Sequence, residues 1–289
     1  MPNASRLCLV AVTLLLCACE SELSIDLTDA PIDGATRVQL AVSAVELLGS
    51  DGTVTRIDSQ YTDDFDMLDY RDGERLRLVD ASGELKGRHV GLRLRLDDDN
   101  AFLRKDEDST PIELLSAGEY ATVDLDLDDG DARTLIVDLD LRFSLIDRRD
   151  TLGVYQMIPV IRVIDADRAG RIEGTIDANA IADADCRDGR AIGTGVAVYL
   201  YTGTGVTPGD YDADATVTPL AQPLAAADVR EDAASGAWTY RFHYVQPGRY
   251  TLAWTCEADR EHPQQDDDLS FRDAADVEVG EAQTVTVNF

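Results

Sequence analysis

Residues 37–47 read RVQLAVSAVEL, and this stretch decides the fold class. Val38, Leu40, Val42 and Ala44 fall on one face of an extended chain, Gln39 and Ser43 on the other. Side chains of a strand alternate between faces, so an apolar/polar period of two marks a strand with one face in a core and one in water. The period recurs in VGLRLRLD (90–97), where Leu92, Leu94 and Leu96 alternate with Arg93 and Arg95. It returns in VDLDLD (123–128), VDLDLRFSL (137–145), VEV (277–279) and VTVNF (285–289). Turn signals separate these runs: SDG at 50–52, RDG at 71–73, ASG at 81–83, SAG at 116–118, DDG at 128–130 and QPG at 246–248. No segment keeps a helical period over three turns. The expectation is an all-β chain of antiparallel β-sandwich-like units.

The chain has 289 residues, enough for two domains of ordinary size, and 44% of it is hydrophobic, enough for real cores. The polar, glycine-containing stretch DADRAGR (165–171) divides two strand-rich blocks. The expected domains are 19–165 and 166–289, after a signal peptide at 1–18. With 56 Asp and Glu against 26 Lys and Arg, the net charge is −30. That field repels nucleic acid and anionic headgroups, which makes both poor candidates as partners. Lys86 and Lys105 are the only lysines. The dense aspartate surface resembles proteins adapted to high salt, where mobile cations screen self-repulsion. A GC-rich genome that prefers Arg to Lys explains the lysines but less well the acid excess.

The N-terminus fixes the expected location. Arg6 supplies a positive n-region, and LCLVAVTLLLCA (7–18) is an apolar run of signal-peptide length, too short to span a bilayer. Cys17 follows the bulky Leu16, whereas Cys19 follows the small Ala18, and the chain turns polar at Glu20. LCAC (16–19) therefore resembles the lipobox of bacterial lipoproteins, with Cys19 as the lipid-bearing first residue of the mature chain. The resemblance implies a diacylglycerol and an N-terminal acyl chain. At about 0.8 kcal/mol per buried CH₂, several chains hold a protein at a membrane permanently. Glu20, in place of an inner-membrane-retaining Asp, implies the outer membrane of the cell envelope.

Residues 23–47, LSIDLTDAPIDGATRVQLAVSAVEL, are similar to the opening of a bacterial lipoprotein family known as a domain of unknown function. The likeness extends through HVGLRLRLDDD (89–99) to YQMIPVIRVID (155–165), and LTDAP (27–31) is its specific part. It implies an all-β domain and carries no activity. The second block resembles carboxypeptidase-regulatory-like and transthyretin-like sandwiches. RIEGTID (171–177) looks like a first strand, VAVYLYTG (196–203) like an edge strand, and WTYRFHYVQPGRYTLAWTC (238–256) like a hairpin. The long stretch GVTPGDYDADATVTPLAQPLAAAD departs from that pattern. Such domains are spacers or binding modules.

Cys186 and Cys256 are the cysteines left after Cys19, and an even pair in an oxidising compartment reads as a disulfide. Along YTLAWTC, Tyr250, Leu252, Trp254 and Cys256 share an apolar face. Of the three histidines, His89 opens a strand, and His243 is expected outward beside Arg241 with Tyr240, Phe242 and Tyr244 in the core. His262 lies near Glu261 and Asp266, Asp267 and Asp268, a run that could bind a divalent cation or be a solvated loop.

The acidic ladder is the remaining constellation. Asp124, Asp126 and Asp128 alternate with leucines, as do Asp138 and Asp140 beyond the DDG turn. A hairpin across that turn would oppose like charges, which is destabilising unless something screens them. Salt is the simpler screen. Calcium held by Asp124, Asp126, Asp138 and Asp140 is the alternative, since it takes 6–8 oxygen ligands. No G-x-S-x-G, H-E-x-x-H, P-loop or G-x-G-x-x-G occurs in a fitting context. The reading is therefore a lipid-anchored envelope protein with a binding or structural role and no chemistry of its own. An envelope protein or a glycan is its expected partner, and a calcium-dependent recognition module is the alternative.

Overall fold

The computed structural model describes residues 20–289 apart from 31, 62, 84, 106 and 213–221. Cys19 and the expected signal peptide lie outside the described residues. All regular structure longer than a helical turn or so is strand, as the period-two runs require. In the first block, strands Ile161–Asp165, Ala132–Asp140, Ser21–Ala30 and Leu76–Gly83 lie side by side in a four-stranded sheet. An eight-stranded sheet is built around the long strands Ala35–Gly49 and Gly87–Lys105. Leu23, Ile25, Val38, Leu40, Leu92, Leu94, Leu125 and Val137 belong to one buried cluster that these two sheets supply.

The second block has two four-stranded sheets. One orders Arg230–Glu231, Trp238–Val245, Gly170–Ile176 and Thr284–Thr286, the other Ala225–Asp228, Ala197–Thr202, Gly248–Thr255 and Phe271–Val279. Ile172, Val198, Leu200, Phe242, Tyr250, Leu252 and Trp254 form its own buried cluster. Most strand pairs are antiparallel. Three are parallel: Ser21–Ala30 with Ala132–Asp140, Val154–Met157 with Asp108–Leu114, and Gly170–Ile176 with Thr284–Thr286.

Several expectations change. The DDG turn joins strands of different sheets: Ala121–Leu127 pairs with Gly87–Lys105, whereas Ala132–Asp140 pairs with Ser21–Ala30 and Ile161–Asp165. The QPG turn does the same, so Trp238–Val245 and Gly248–Thr255 are not a hairpin. A tight turn dictates that the chain reverses. Burial dictates where it goes, and strands buried on both faces must enter the middle of a sheet. Ala197–Thr202, expected at an edge, is such a strand: its residues Ala197 to Tyr201 are all buried, and it lies between Ala225–Asp228 and Gly248–Thr255. A register irregularity between Gly170 and Ile172 shifts the alternation opposite Phe242–Val245. Val245 is therefore buried, while His243 and Tyr244 turn toward the first block. VDLDLRFSL is not one strand either. It breaks at Asp140, which caps a single helical turn, Leu141–Ser144.

Candidate functional site at the junction of the two blocks

That helical turn is where the blocks meet. The Asp140 carboxylate accepts a hydrogen bond from the Phe143 backbone N–H at 3.1 Å, and Ser144 Oγ donates to the Asp140 carbonyl at 2.5 Å. The cap thrusts Arg142 and Phe143 away from their own core into the second block. Phe143, 1% exposed, stacks on Tyr211 at 4.6 Å and meets Tyr199 edge-on at 5.8 Å. The other buried members of its cluster are second-block residues, Ala197, Tyr199, Tyr201, Ala226, Ala253 and Ala258, with Val160 of the first block packed against them.

Arg142 is 4% exposed and bridges the blocks. Its guanidinium donates to Asp33 at 2.6 Å, to Asp228 at 2.6 Å and to the Ala258 carbonyl at 2.7 Å. The planar fork suits three acceptors that lie in different directions. Burial opposes ionisation of Asp33, but Arg142 outweighs it and holds the carboxyl below its usual range. Asp140 has no such partner. Its second oxygen accepts from the Ala226 N–H at 3.1 Å, and burial with nearby Asp138 pushes it up to about 7. Arg162 pairs with Asp138 at 2.5 Å and donates to the Tyr244 carbonyl, while the Tyr244 hydroxyl donates to the Gly73 carbonyl at 2.6 Å.

A cavity of about 100 Å³ lies between these contacts, lined from both blocks. Asp29, Asp138, Arg162 and His243 all border it. Both Asp29 oxygens, Asp138 Oδ1, Arg162 Nε and both His243 ring nitrogens are sealed from solvent without a hydrogen-bond partner. His243, expected to face water, thus faces the junction, where a Cβ on Gly73 would stand 2.8 Å from its Nδ1.

A second acidic group lies nearby. Carboxylate oxygens of Asp210, Glu261 and Asp267 come within 4.8 Å of one another, from two loop segments. Glu261 accepts from the Tyr199 hydroxyl at 2.7 Å and the Tyr211 N–H at 3.2 Å. Burial pushes Glu261 up to about 8, and burial raises Asp210 and Asp267 as well. Among the described residues, these carboxylates and the exposed run Asp97, Asp98 and Asp99 are the groups that could hold a metal ion.

The four ladder aspartates do not come together. Asp124 and Asp126 are exposed on the eight-stranded sheet, and Asp124 accepts from Arg88 at 2.9 Å. Asp138 and Asp140 are each 5% exposed in the other sheet, engaged at the junction. The facing carboxylates that suggested calcium are absent, because the hairpin that would have opposed them is not formed. Cys186 and Cys256 lie at disulfide distance, with Cα atoms 5.3 Å apart; Cys186 sits on a short helix, Ala184–Arg187, rather than in a loop.

Comparison with known proteins finds one family match, over part of the chain. Residues 20–159 match the family described as Domain of unknown function (DUF4382). The DUF4382 match covers most of the first block and stops just before strand Ile161–Asp165. Among the curated proteins, none matches this chain. Of solved structures, the Bacillus anthracis TIE protein is 9% identical, with a TM-score of 0.23 over 93% of this chain and 34% of that one. A leucine-rich repeat protein from Bacteroides thetaiotaomicron is 13% identical, with a TM-score of 0.22 over 94% and 26%. GBS52, the minor pilin of Streptococcus agalactiae, is 13% identical, with a TM-score of 0.20 over 92% and 94%. The chain thus spans about a third and about a quarter of the length of the first two.

Arg142, Phe143 and Asp29 escaped the sequence reading. Within LDLRFSL the first two continue a strand pattern, and their partners lie 56 to 116 positions away. The one local signal is Asp140 followed three residues later by Phe143 and then Ser144, an N-cap spacing hidden inside an alternating run.

Proposed function

We propose that this is a lipid-anchored protein of the bacterial outer membrane. In it, two docked β-sandwich domains, 19–165 and 166–289, serve a non-catalytic structural or binding role. The observation that carries this reading is the lipobox LCAC followed almost at once by the fold: Ser21 opens the first strand two residues after Cys19. An acyl anchor on Cys19 would leave only Glu20 as tether, so the folded body would stand directly on the membrane. The junction suits that role. A buried arginine clamp and an aromatic plug hold the second block against the first, which gives a stiff extension from the membrane. A disulfide between Cys186 and Cys256 would stiffen the outer block in the oxidising envelope. The partner is an envelope protein or a glycan met at the outer block.

Fractionation tests the reading. The full chain expressed in a Gram-negative host is expected in the membrane pellet and released only by detergent, whereas Cys19→Ser moves it to the soluble fraction. Equal solubility of the two proteins would refute the anchor. One observation favours calcium-dependent recognition as a second reading. The carboxylates of Asp210, Glu261 and Asp267 converge beside the junction, and no salt bridge to any of the three occurs among the described residues. Oxygen-rich loops of this kind are the ligand type calcium takes.

A further inference from the structure

The cavity between the blocks is lined unlike the rest of this acidic chain. Arg71 and Arg162 border it from the first block, Arg230 and Arg241 from the second. The neighbouring cavity at Asp33 has the opposite balance, with Lys105 and Arg142 against Asp33, Asp147, Asp259 and Glu261.

The carboxylates around the four arginines do not use up their donors. Asp29 is 8% exposed, and neither of its sealed oxygens accepts a hydrogen bond. A carboxyl group in that setting stands neutral, because nothing there compensates an ionised one. Burial, with Asp138 and Asp140 nearby, accordingly raises its pKa well above the usual carboxylate range. Asp138 is engaged by Arg162 at 2.5 Å, and Asp228 by Arg142 at 2.6 Å. Asp72 is mostly exposed and reaches Arg230 only at 3.4 Å. Each guanidinium carries five N–H donors. Arg71 commits its Nε to the Leu68 carbonyl at 2.8 Å, and among the described residues no carboxylate pairs with it. Arg241 commits its Nε to Glu173 at 3.1 Å, and Arg162 Nε has no partner at all.

We propose that the arginine-lined cavity between the blocks binds one small tetrahedral oxyanion of the phosphate class. Guanidinium forks match the oxygens of such an ion in pairs, which is why arginine predominates where phosphate is held. The volume fits: about 100 Å³ equals about three waters at ~30 Å³ each, room for one such ion. A neutral Asp29 adds an O–H donor where an ionised one would repel the ion. The net charge of −30 does not forbid binding, since at physiological salt charges beyond about 8 Å are largely screened while direct contacts are not. Because two of the arginines come from each block, the ion binds only the docked arrangement and pins the blocks together. The same chemistry is offered by free phosphate and by a phosphoryl group carried on a larger envelope molecule.

Thermal unfolding of the purified protein at pH 7 tests this, in potassium chloride, potassium phosphate and glycerol 3-phosphate at matched ionic strength. At least one phosphate is expected to raise Tm above chloride, by about 3–6 °C at ten times its Kd. A larger rise with glycerol 3-phosphate assigns the site to a phosphoryl group on a larger molecule, and a rise at least as large with phosphate assigns it to the free ion. Arg71→Gln is expected to abolish the rise. Arg241→Gln, at the exposed rim, is made beside it in case loss of the Leu68 contact prevents folding. Arg88→Gln, which removes an exposed arginine paired with Asp124 on the eight-stranded sheet, is expected to keep the rise. Equal Tm in all three solutions would overturn the proposal. So would a rise that survives in a folded Arg71→Gln or Arg241→Gln protein, or one that Arg88→Gln also abolishes.

Discussion

Replacing Phe143 by alanine should uncouple the two blocks. Phe143 is 1% exposed, and the aromatic rings it packs against, Tyr199 and Tyr211, both belong to the second block. Truncating a buried phenylalanine costs about 3–5 kcal/mol, cavity included. That loss falls on docking rather than on the core of the first block, because Phe143 packs in the junction cluster and not in the larger one. The two tryptophans, Trp238 and Trp254, both lie in the second block, so their fluorescence reports that block alone while far-UV circular dichroism reports both. In urea the parent should give coincident transitions with the two probes. The variant should separate them, with the earlier midpoint lowered by at least about 1 M at an m of about 1–3 kcal/mol/M. Coincident transitions at an unchanged midpoint would refute the view that this plug holds the blocks together.

Arg142→Met should destabilise by about 3–5 kcal/mol in the same assay, since it strands Asp33 and Asp228, and the double variant with Asp228→Asn should recover part of the loss. Raising the pH should weaken the protein. Asp140 near 7 and Glu261 near 8 bind protons more tightly folded than unfolded, so their contribution is complete below about pH 4 and is lost as pH rises through 7 and 8. The urea midpoint should therefore fall between pH 5 and pH 9, and Asp140→Asn should flatten the part of the slope near pH 7. Reduction, or Cys186→Ser with Cys256→Ser, should cost about 4 kcal/mol by loop-closure entropy, seen in tryptophan fluorescence before circular dichroism.

Strand identity was legible because period-two burial is local: Val38, Leu40, Val42 and Ala44 are all buried as their spacing requires. The apolar face of Tyr250, Leu252, Trp254 and Cys256 was legible for the same reason. Pairing was not. The DDG and QPG turns look like hairpin turns, yet each carries the chain from one sheet to another, because Ala132–Asp140 and Gly248–Thr255 are buried on both faces and must be central. Solvent exposure was misread wherever one block covers the other. Asp138, Asp140 and His243 lie at polar positions that a lone sandwich would leave wet, and the second block dries the first two while the first dries the third. The junction depends on which surface meets which, and no local pattern encodes that meeting.

The anchor on Cys19 remains the claim on which location and role both turn. Intact-mass spectrometry of the protein isolated from the membrane of a Gram-negative host tests it most directly. The expected species begins at Cys19 and carries the added mass of a diacylglycerol and one acyl chain. A mature chain that starts elsewhere, or starts at Cys19 without lipid, would contradict it.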